Sequence, residues 1–279
     1  EFDTVINQLT FKTDLSKAIS NNGFDTSNLI ILKWGYGGSL QSEENDTLSL
    51  QAFSEDYKIT FNNINVDQDV GIYYQYYKIV DDEESREIFF NFDYTGDDVV
   101  LAERRYFSFE GIEDFSEISI FDDLESNVDQ RRMPVFSNTE SIGQEVDVTW
   151  TIDLRPAYHQ ILAGDVLDDI QGIYSVDNVD SLYEWGVWIN GPASYPANGE
   201  NWTQWGSTLY NTNAKKMWDD GTHGDAVSGD RIYTIQLTYA EDSTIGQECK
   251  FGIKGGDNES SYGLNHYENI DVNNPNINV

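Results

Sequence analysis

Between Trp218 and Thr234 four aspartates, Asp219, Asp220, Asp225 and Asp230, crowd into one short stretch that contains no lysine or arginine before Arg231. Such a loop either repels itself or holds a cation, because hard cations such as calcium take carboxylate, carbonyl and water oxygens. Calcium is therefore the candidate cofactor, with these four carboxylates as its ligands. The same residues also suit a plain hairpin loop in which glycines supply positive φ and aspartates close turns onto their own backbone. The spacing is not that of an EF-hand, which needs alternating acids around a glycine and a glutamate at the twelfth position. Both readings remain open.

The second stretch with usable chemistry lies between Val176 and Met217, which holds four of the seven tryptophans. Trp202 and Trp205 lie close to Tyr195, Asn201 and Gln204 in a segment rich in Gly, Pro and Asn. Aromatic planes stack on pyranose rings while amides bond to hydroxyls, so these five are candidate glycan ligands. Alternation adds a sixth. Read as one strand, Tyr183, Trp185, Val187 and Ile189 face inward and Glu184, Gly186, Trp188 and Asn190 face out, which puts Trp188 on the surface. The alternative is that the rings cap the end of a β-sandwich, since tryptophan and tyrosine bury large areas.

Catalytic arrangements are not singled out. Glycosidases need two carboxylates at a defined separation, and with fifty acids no pair stands apart. His159, His223 and His266 lack zinc-protease spacing, and no nucleophile elbow or phosphate loop occurs. The chain reads as non-enzymatic.

Fifty acids against sixteen bases give a net charge of −34. That balance argues against a nucleic-acid or anionic-membrane partner, because phosphate binding needs clusters of Lys and Arg. It fits a solvated acidic surface, saline surroundings or bound divalent cations. A single cysteine, Cys249, excludes an internal disulfide, and its alternation with Phe251 and Ile253 makes it a small buried hydrophobe. No run of about eighteen apolar residues is present to span a membrane. The start at Glu1 reads as a processed, exported chain.

The elements that must position these residues read as short strands between Gly, Asn and Asp turns. After Arg231 the chain alternates strictly, with Tyr233, Ile235, Leu237 and Tyr239 on one face. A repeat lies beneath this pattern. Thr10-Phe11-Lys12-Thr13-Asp14-Leu15 and Thr149-Trp150-Thr151-Ile152-Asp153-Leu154 match in register, with Phe11 replaced by Trp150. Each copy continues with a short polar segment that suits a helical turn, a second strand (Leu29 to Trp34; near Val166 to Tyr174) and a final strand pair. In the first copy that pair is Tyr57 to Phe61 and Gly71 to Val80, with the acidic turn Asp81 to Glu84 leading into Ile88 to Phe92; in the second it is Ile232 to Tyr239 and Glu248 to Lys254. The expected fold is all-β, two tandem antiparallel β-sandwiches. The expected domains are residues 1–112, an acidic connecting segment 113–144 packed on the first domain, and 145–279.

The residues from Val148 to Ala157, Asp219 to Thr234, Lys250 to Lys254 and Tyr267 to Ile270 resemble tandem starch-binding-like, carbohydrate-binding-module-like domains. Leu9 to Ala18, Trp34 to Gly38 and Tyr76 to Val80 carry the same resemblance in the first copy. Such domains occur in secreted bacterial surface proteins of the type IX-exported kind. The resemblance implies an immunoglobulin-like or starch-binding-like sandwich, an extracellular location and a polysaccharide or cell-surface glycan partner. A different class of function fits the same chain: a structural subunit of a filament, surface layer or adhesin that pairs with copies of itself through the polar tails Glu1 to Asn7 and Asp271 to Val279.

Overall fold

A computed structural model describes residues 4–35, 46–50, 56–89, 91–95, 98–102, 104–124, 131–171, 174–259 and 265–279. The chain divides into two compact units, Glu1–Ser137 and Asn138–Val279. Residues 113–144 are thus shared between the units: the acidic stretch contributes a strand to the first, and Asn138 onward belongs to the second.

The first unit contains β1 (Thr4–Asp14), α1 (Ser16–Ser20), β2 (Leu29–Gly35), β3 (Asp46–Thr47), β4 (Ser49–Leu50), β5 (Asp56–Val66), β6 (Ile72–Val80), β7 (Glu83–Arg86), β8 (Asn91–Thr95), β9 (Asp98–Ala102), β10 (Arg105–Phe107) and β11 (Glu117–Asp122). One sheet runs β11-β1-β5-β4 and another β10-β6-β2-β3, with β7 also on β6 and β8-β9 forming a separate pair. The strand expected across Ile88 to Phe92 is not continuous, since β7 ends at Arg86 and β8 begins at Asn91. Leu9, Phe11, Ile118 and Ile120 from the first sheet and Ile30, Leu32, Tyr74 and Tyr76 from the second fill one core.

A buried ionic cluster ties these two sheets. Arg105 donates to Glu87 through Nε at 2.9 Å and Nη2 at 2.6 Å, and its Nη1 lies 3.2 Å from Asp122. Tyr74 and Tyr76 donate to the two Asp122 oxygens at 3.0 and 2.7 Å. Burial pushes the Asp122 carboxyl up to about 6, against the pull of Arg105.

The second unit contains β12 (Val146–Asp153), α2 (Arg155–Ala163), α3 (Val179–Trp185), β13 (Val187–Asn190), α4 (Tyr195–Asn198), α5 (Ser207–Tyr210), β14 (Ile232–Tyr239), β15 (Gly246–Ile253), β16 (His266–Asn269) and β17 (Asn276–Asn278). Its sheets run β14-β12-β17 and β13-β15-β16. Both feed one core: Val148, Trp150, Ile235 and Leu237 from the first, Val187, Ile189, Phe251 and Ile253 from the second.

The duplication extends to pairing register. Phe11 lies between Ile59 and Ile120, and Trp150 lies between Ile235 and Ile277. In each copy an aspartate closes the turn after the strand, with Asp14 accepting from Ser16 N at 2.8 Å and Asp153 from Arg155 N at 2.9 Å.

Several expectations are corrected. The β1–β11 and β12–β17 ladders are parallel, not antiparallel. No named strand covers the described part of Val166 to Tyr174, where only an isolated Leu167–Val176 bridge forms; β13 takes the place of the second strand. The alternation read across Tyr183 to Asn190 spans a helix and a strand. Helix α3 ends at Trp185, Gly186 turns the chain at φ 75°, and β13 starts afresh. Within the described residues, Thr4 to Asn7 belong to β1 and Asn276 to Asn278 form the edge strand β17. Trp34 is on β2 against Phe61, while Tyr36 to Gly38 lie outside the described residues. Among the described residues no helix is long and apolar enough to cross a membrane.

Candidate functional site: an aromatic segment and an acidic loop

Two buried side chains hold the segment that carries Trp202. Asn190, at the end of β13, donates through Nδ2 to Thr203 O and accepts from Thr203 N, both at 2.9 Å. The amide therefore satisfies a backbone donor and acceptor as a neighbouring strand would. From the other side, the fully buried Lys215 donates through Nζ to Glu200 O at 2.8 Å and Asn201 O at 3.2 Å, and burial brings its pKa down to about 8. Neither residue is singled out by the sequence. Asn190 carries only the signal of a polar residue closing an apolar run, and Lys215, next to Lys216 in a polar stretch, carries none.

With its backbone fixed, this segment presents Trp202 at 42 % exposure, with Asn201 and Gln204 also exposed. Trp205 is half-buried, its ring 6.3 Å from that of Trp202 and packed over Gly252 of β15. Behind Trp205, Lys250 pairs with Asp257 in a buried ion pair. Tyr195, on α4, is 55 % exposed. Trp188 departs from expectation. It is 2 % exposed, covered by Tyr210 and Lys216, and its Nε1 has no hydrogen-bond partner among the described residues. A half-buried strand cannot be assumed where an insertion folds back over its outer face.

The acidic loop is closed at its neck by reciprocal 2.8 Å backbone bonds between Trp218 and Thr234. His223 stacks on Trp218 with ring centroids 4.7 Å apart. Arg231, at the far end, lies over Tyr158 and Tyr183 at 4.3 and 4.7 Å. Within the loop Asp219 accepts from Gly229, Asp230 and Arg231 N–H groups, Asp225 from Gly221 and Val227, and Asp230 from Ile232. Asp219, Asp225 and Asp230 can each bring an oxygen within 4.8 Å of the others. Asp220 is not in this group; it turns to Thr222, whose bonds hold its carboxyl below the usual range. A carboxylate offers about four acceptor positions, so all three clustered aspartates retain acceptor capacity after their backbone bonds. That donor set suits a hard cation with water completing its shell.

Comparison with protein-family models, curated proteins and solved structures returns no match. The site therefore rests on its own geometry. The second unit offers exposed rings on a pinned backbone and, elsewhere, a loop whose three aspartates suit a divalent cation.

Proposed function

We propose that the chain is a secreted, non-catalytic protein that binds polysaccharide through the aromatic segment of its second unit, a starch-binding-like sandwich, with the acidic loop stabilised by calcium. One observation carries this reading. Among the described residues, the exposed large aromatics are Tyr195, Trp202 and Tyr210, and all three lie in the insertion that follows β13. Exposed aromatic rings gathered on one segment mark an interaction surface, and Trp or Tyr supplies a flat apolar face with a polar edge, the complement of a pyranose ring. The buried anchors Asn190 and Lys215 reduce the entropy lost when a ligand is held there.

The test is affinity electrophoresis of the intact chain through gels containing starch, glycogen, xylan or β-glucan, and alginate or another acidic polysaccharide, alongside Trp202→Ala and Tyr195→Ala. Retardation by at least one polysaccharide, lost in both variants while their melting curves stay cooperative, supports the reading. Free migration in every gel overturns it.

A further inference from the structure

In a chain with fifty acids and sixteen bases, a lysine is expected to find a carboxylate. Lys12, Lys33 and Lys250 do so. Lys216 and Lys254 do not: among the described residues neither ammonium has a carboxylate within ion-pair distance. Each lies on aromatic rings instead. Lys254 Nζ is 4.2 Å from the Trp185 ring centre and 5.9 Å from that of Tyr210. Lys216 Nζ is 4.4 Å from the Trp218 ring and 5.7 Å from that of Trp188. Tyr210 and Trp188 pack together at 5.1 Å, so two touching rings join the two cations.

The arrangement is built by the backbone. Lys254 sits at φ 52° and Gly255 at φ 75°. A β-carbon on Gly255 would lie 2.6 Å from Tyr210 N and 2.7 Å from Gly206 O. Only glycine lets α5 approach the turn closely enough to set Tyr210 beside Lys254. Tyr210 is itself 38 % exposed. The exposed Tyr210 ring thus borders the half-buried Lys254 ammonium directly and is joined to the half-buried Lys216 through Trp188. The rings attract the cations, but their faces do not neutralise the charge as a carboxylate does.

We infer that Tyr210, Lys216 and Lys254 form a subsite for a stretch of acidic polysaccharide, built of uronate or sulfate-ester units, one ring of which stacks on Tyr210 while anionic groups of successive units meet the two lysines. This rests on the glycan-binding reading and adds the charge class of the glycan. Asp220 acts on Lys216 only from beyond ion-pair distance, so a neutral sugar would leave both ammonium groups without a contacting carboxylate among the described residues. The overall negative charge acts against a polyanion at long range, but salt screens it beyond about 8 Å at physiological ionic strength, whereas contact pairs are much less screened.

The decisive experiment compares binding of the intact chain to polygalacturonate and a sulfated galactan with binding to starch and xylan, and adds a single-stranded oligothymidylate. Lys216→Gln, Lys254→Gln and the double variant are measured with the parent. The expected result is acidic polymers bound at least tenfold more tightly than neutral ones, with at least a fivefold loss in each single variant and full loss in the double. If a variant loses its cooperative melt, amine-labelling of the parent chain replaces it. Saturating oligogalacturonate should then slow acetylation of Lys216 and Lys254 at least fivefold, and no protection overturns the subsite. Equal binding of neutral polymers, unchanged in the lysine variants, overturns the inference and leaves the glycan-binding reading standing. No binding of any polysaccharide overturns both. Oligothymidylate bound as tightly as polygalacturonate also overturns it, because the site then reads charge without sugar.

Discussion

The indole Nε1 of Trp150 donates to the Tyr239 hydroxyl at 3.0 Å, inside the core of the second unit. Tyr239 passes the chain on by donating to Ala193 O, at the root of the aromatic insertion. In the first unit the matching position is Phe11, which has no proton to give. The substitution of tryptophan for phenylalanine thus coincides with the copy that has an insertion to secure. The most apolar layer of the repeat is where the insertion is tied down.

Removing the middle of that relay should be costly. Tyr239→Phe leaves the Trp150 donor and the Ala193 acceptor buried without each other's link, at about 1–3 kcal/mol for each orphaned group. Urea unfolding should show the second unit's transition moving to lower denaturant by a corresponding amount. A shift below about 0.5 kcal/mol would mean that the relay contributes little.

The buried cluster in the first unit predicts a separate loss. Arg105→Met strands Glu87 and Asp122 as uncompensated carboxylates, and breaking a buried pair from one side costs about 3–5 kcal/mol. Calorimetry of the intact chain should show one transition falling steeply. The transition assigned to the second unit should hold its position.

Asp122 also sets the sign of a pH effect. Its carboxyl titrates near 6 when folded, against 3.8 as a free side chain. The folded state therefore keeps a proton that the unfolded chain has already released, and stability falls as pH rises between about 4 and 6. Carboxylates held below their usual range, such as Asp153 beside Arg155, act in the opposite direction. The readout is consequently the stability of the parent minus that of Asp122→Asn across that window: it should be greatest at acid pH, fall between about 4 and 6 and level off above about 6. A constant difference rules out the assignment to Asp122.

Gly191 offers a way to move Trp202 without touching it. At φ 102° an added β-carbon would lie 2.8 Å from Glu248 O and 3.1 Å from the Trp202 ring. Gly191→Ala should shift Trp202 fluorescence and weaken polysaccharide retardation to the level of Trp202→Ala. Unchanged retardation would show that the ring's present position is not the binding one.

Calcium should raise the melting temperature of the second unit and a chelator should reverse it. Free calcium at a hundred times its dissociation constant adds about 2.7 kcal/mol. Asp230→Asn, which retains the oxygen that accepts from Ile232, should abolish the response while keeping most of the basal stability. A parent chain indifferent to calcium would leave the loop as a set of backbone-capping turns.

Much of the layered β architecture was legible because alternation and the Phe11/Trp150 repeat are local signals. Trp150 and Phe11, matched by that repeat, are both fully buried. The parallel closing strands were not legible. Asn276-Ile277-Asn278 carries one apolar residue, and nothing local tells it to pair with Trp150. Trp188 was misplaced for a related reason: its cover, Tyr210 and Lys216, comes from later in the chain. The acidic loop was readable as a cluster, but Asp220 could be separated from Asp219, Asp225 and Asp230 only through the backbone turns that point it elsewhere. Asn190 and Lys215 matter because of what surrounds them, which composition does not disclose.

The parallel ladders at the edges of both units have a kinetic consequence. The first strand of each unit completes its sheet with the last, where Phe11 meets Ile120 and Trp150 meets Ile277. Loop-closure entropy must be met before such distant partners reward it, so a topology of this kind folds slowly for its size. During synthesis neither unit can close until its whole length has emerged. Until then the first strand of each unit keeps one hydrogen-bonding edge open, and a net charge of −34 opposes the approach of another chain to it.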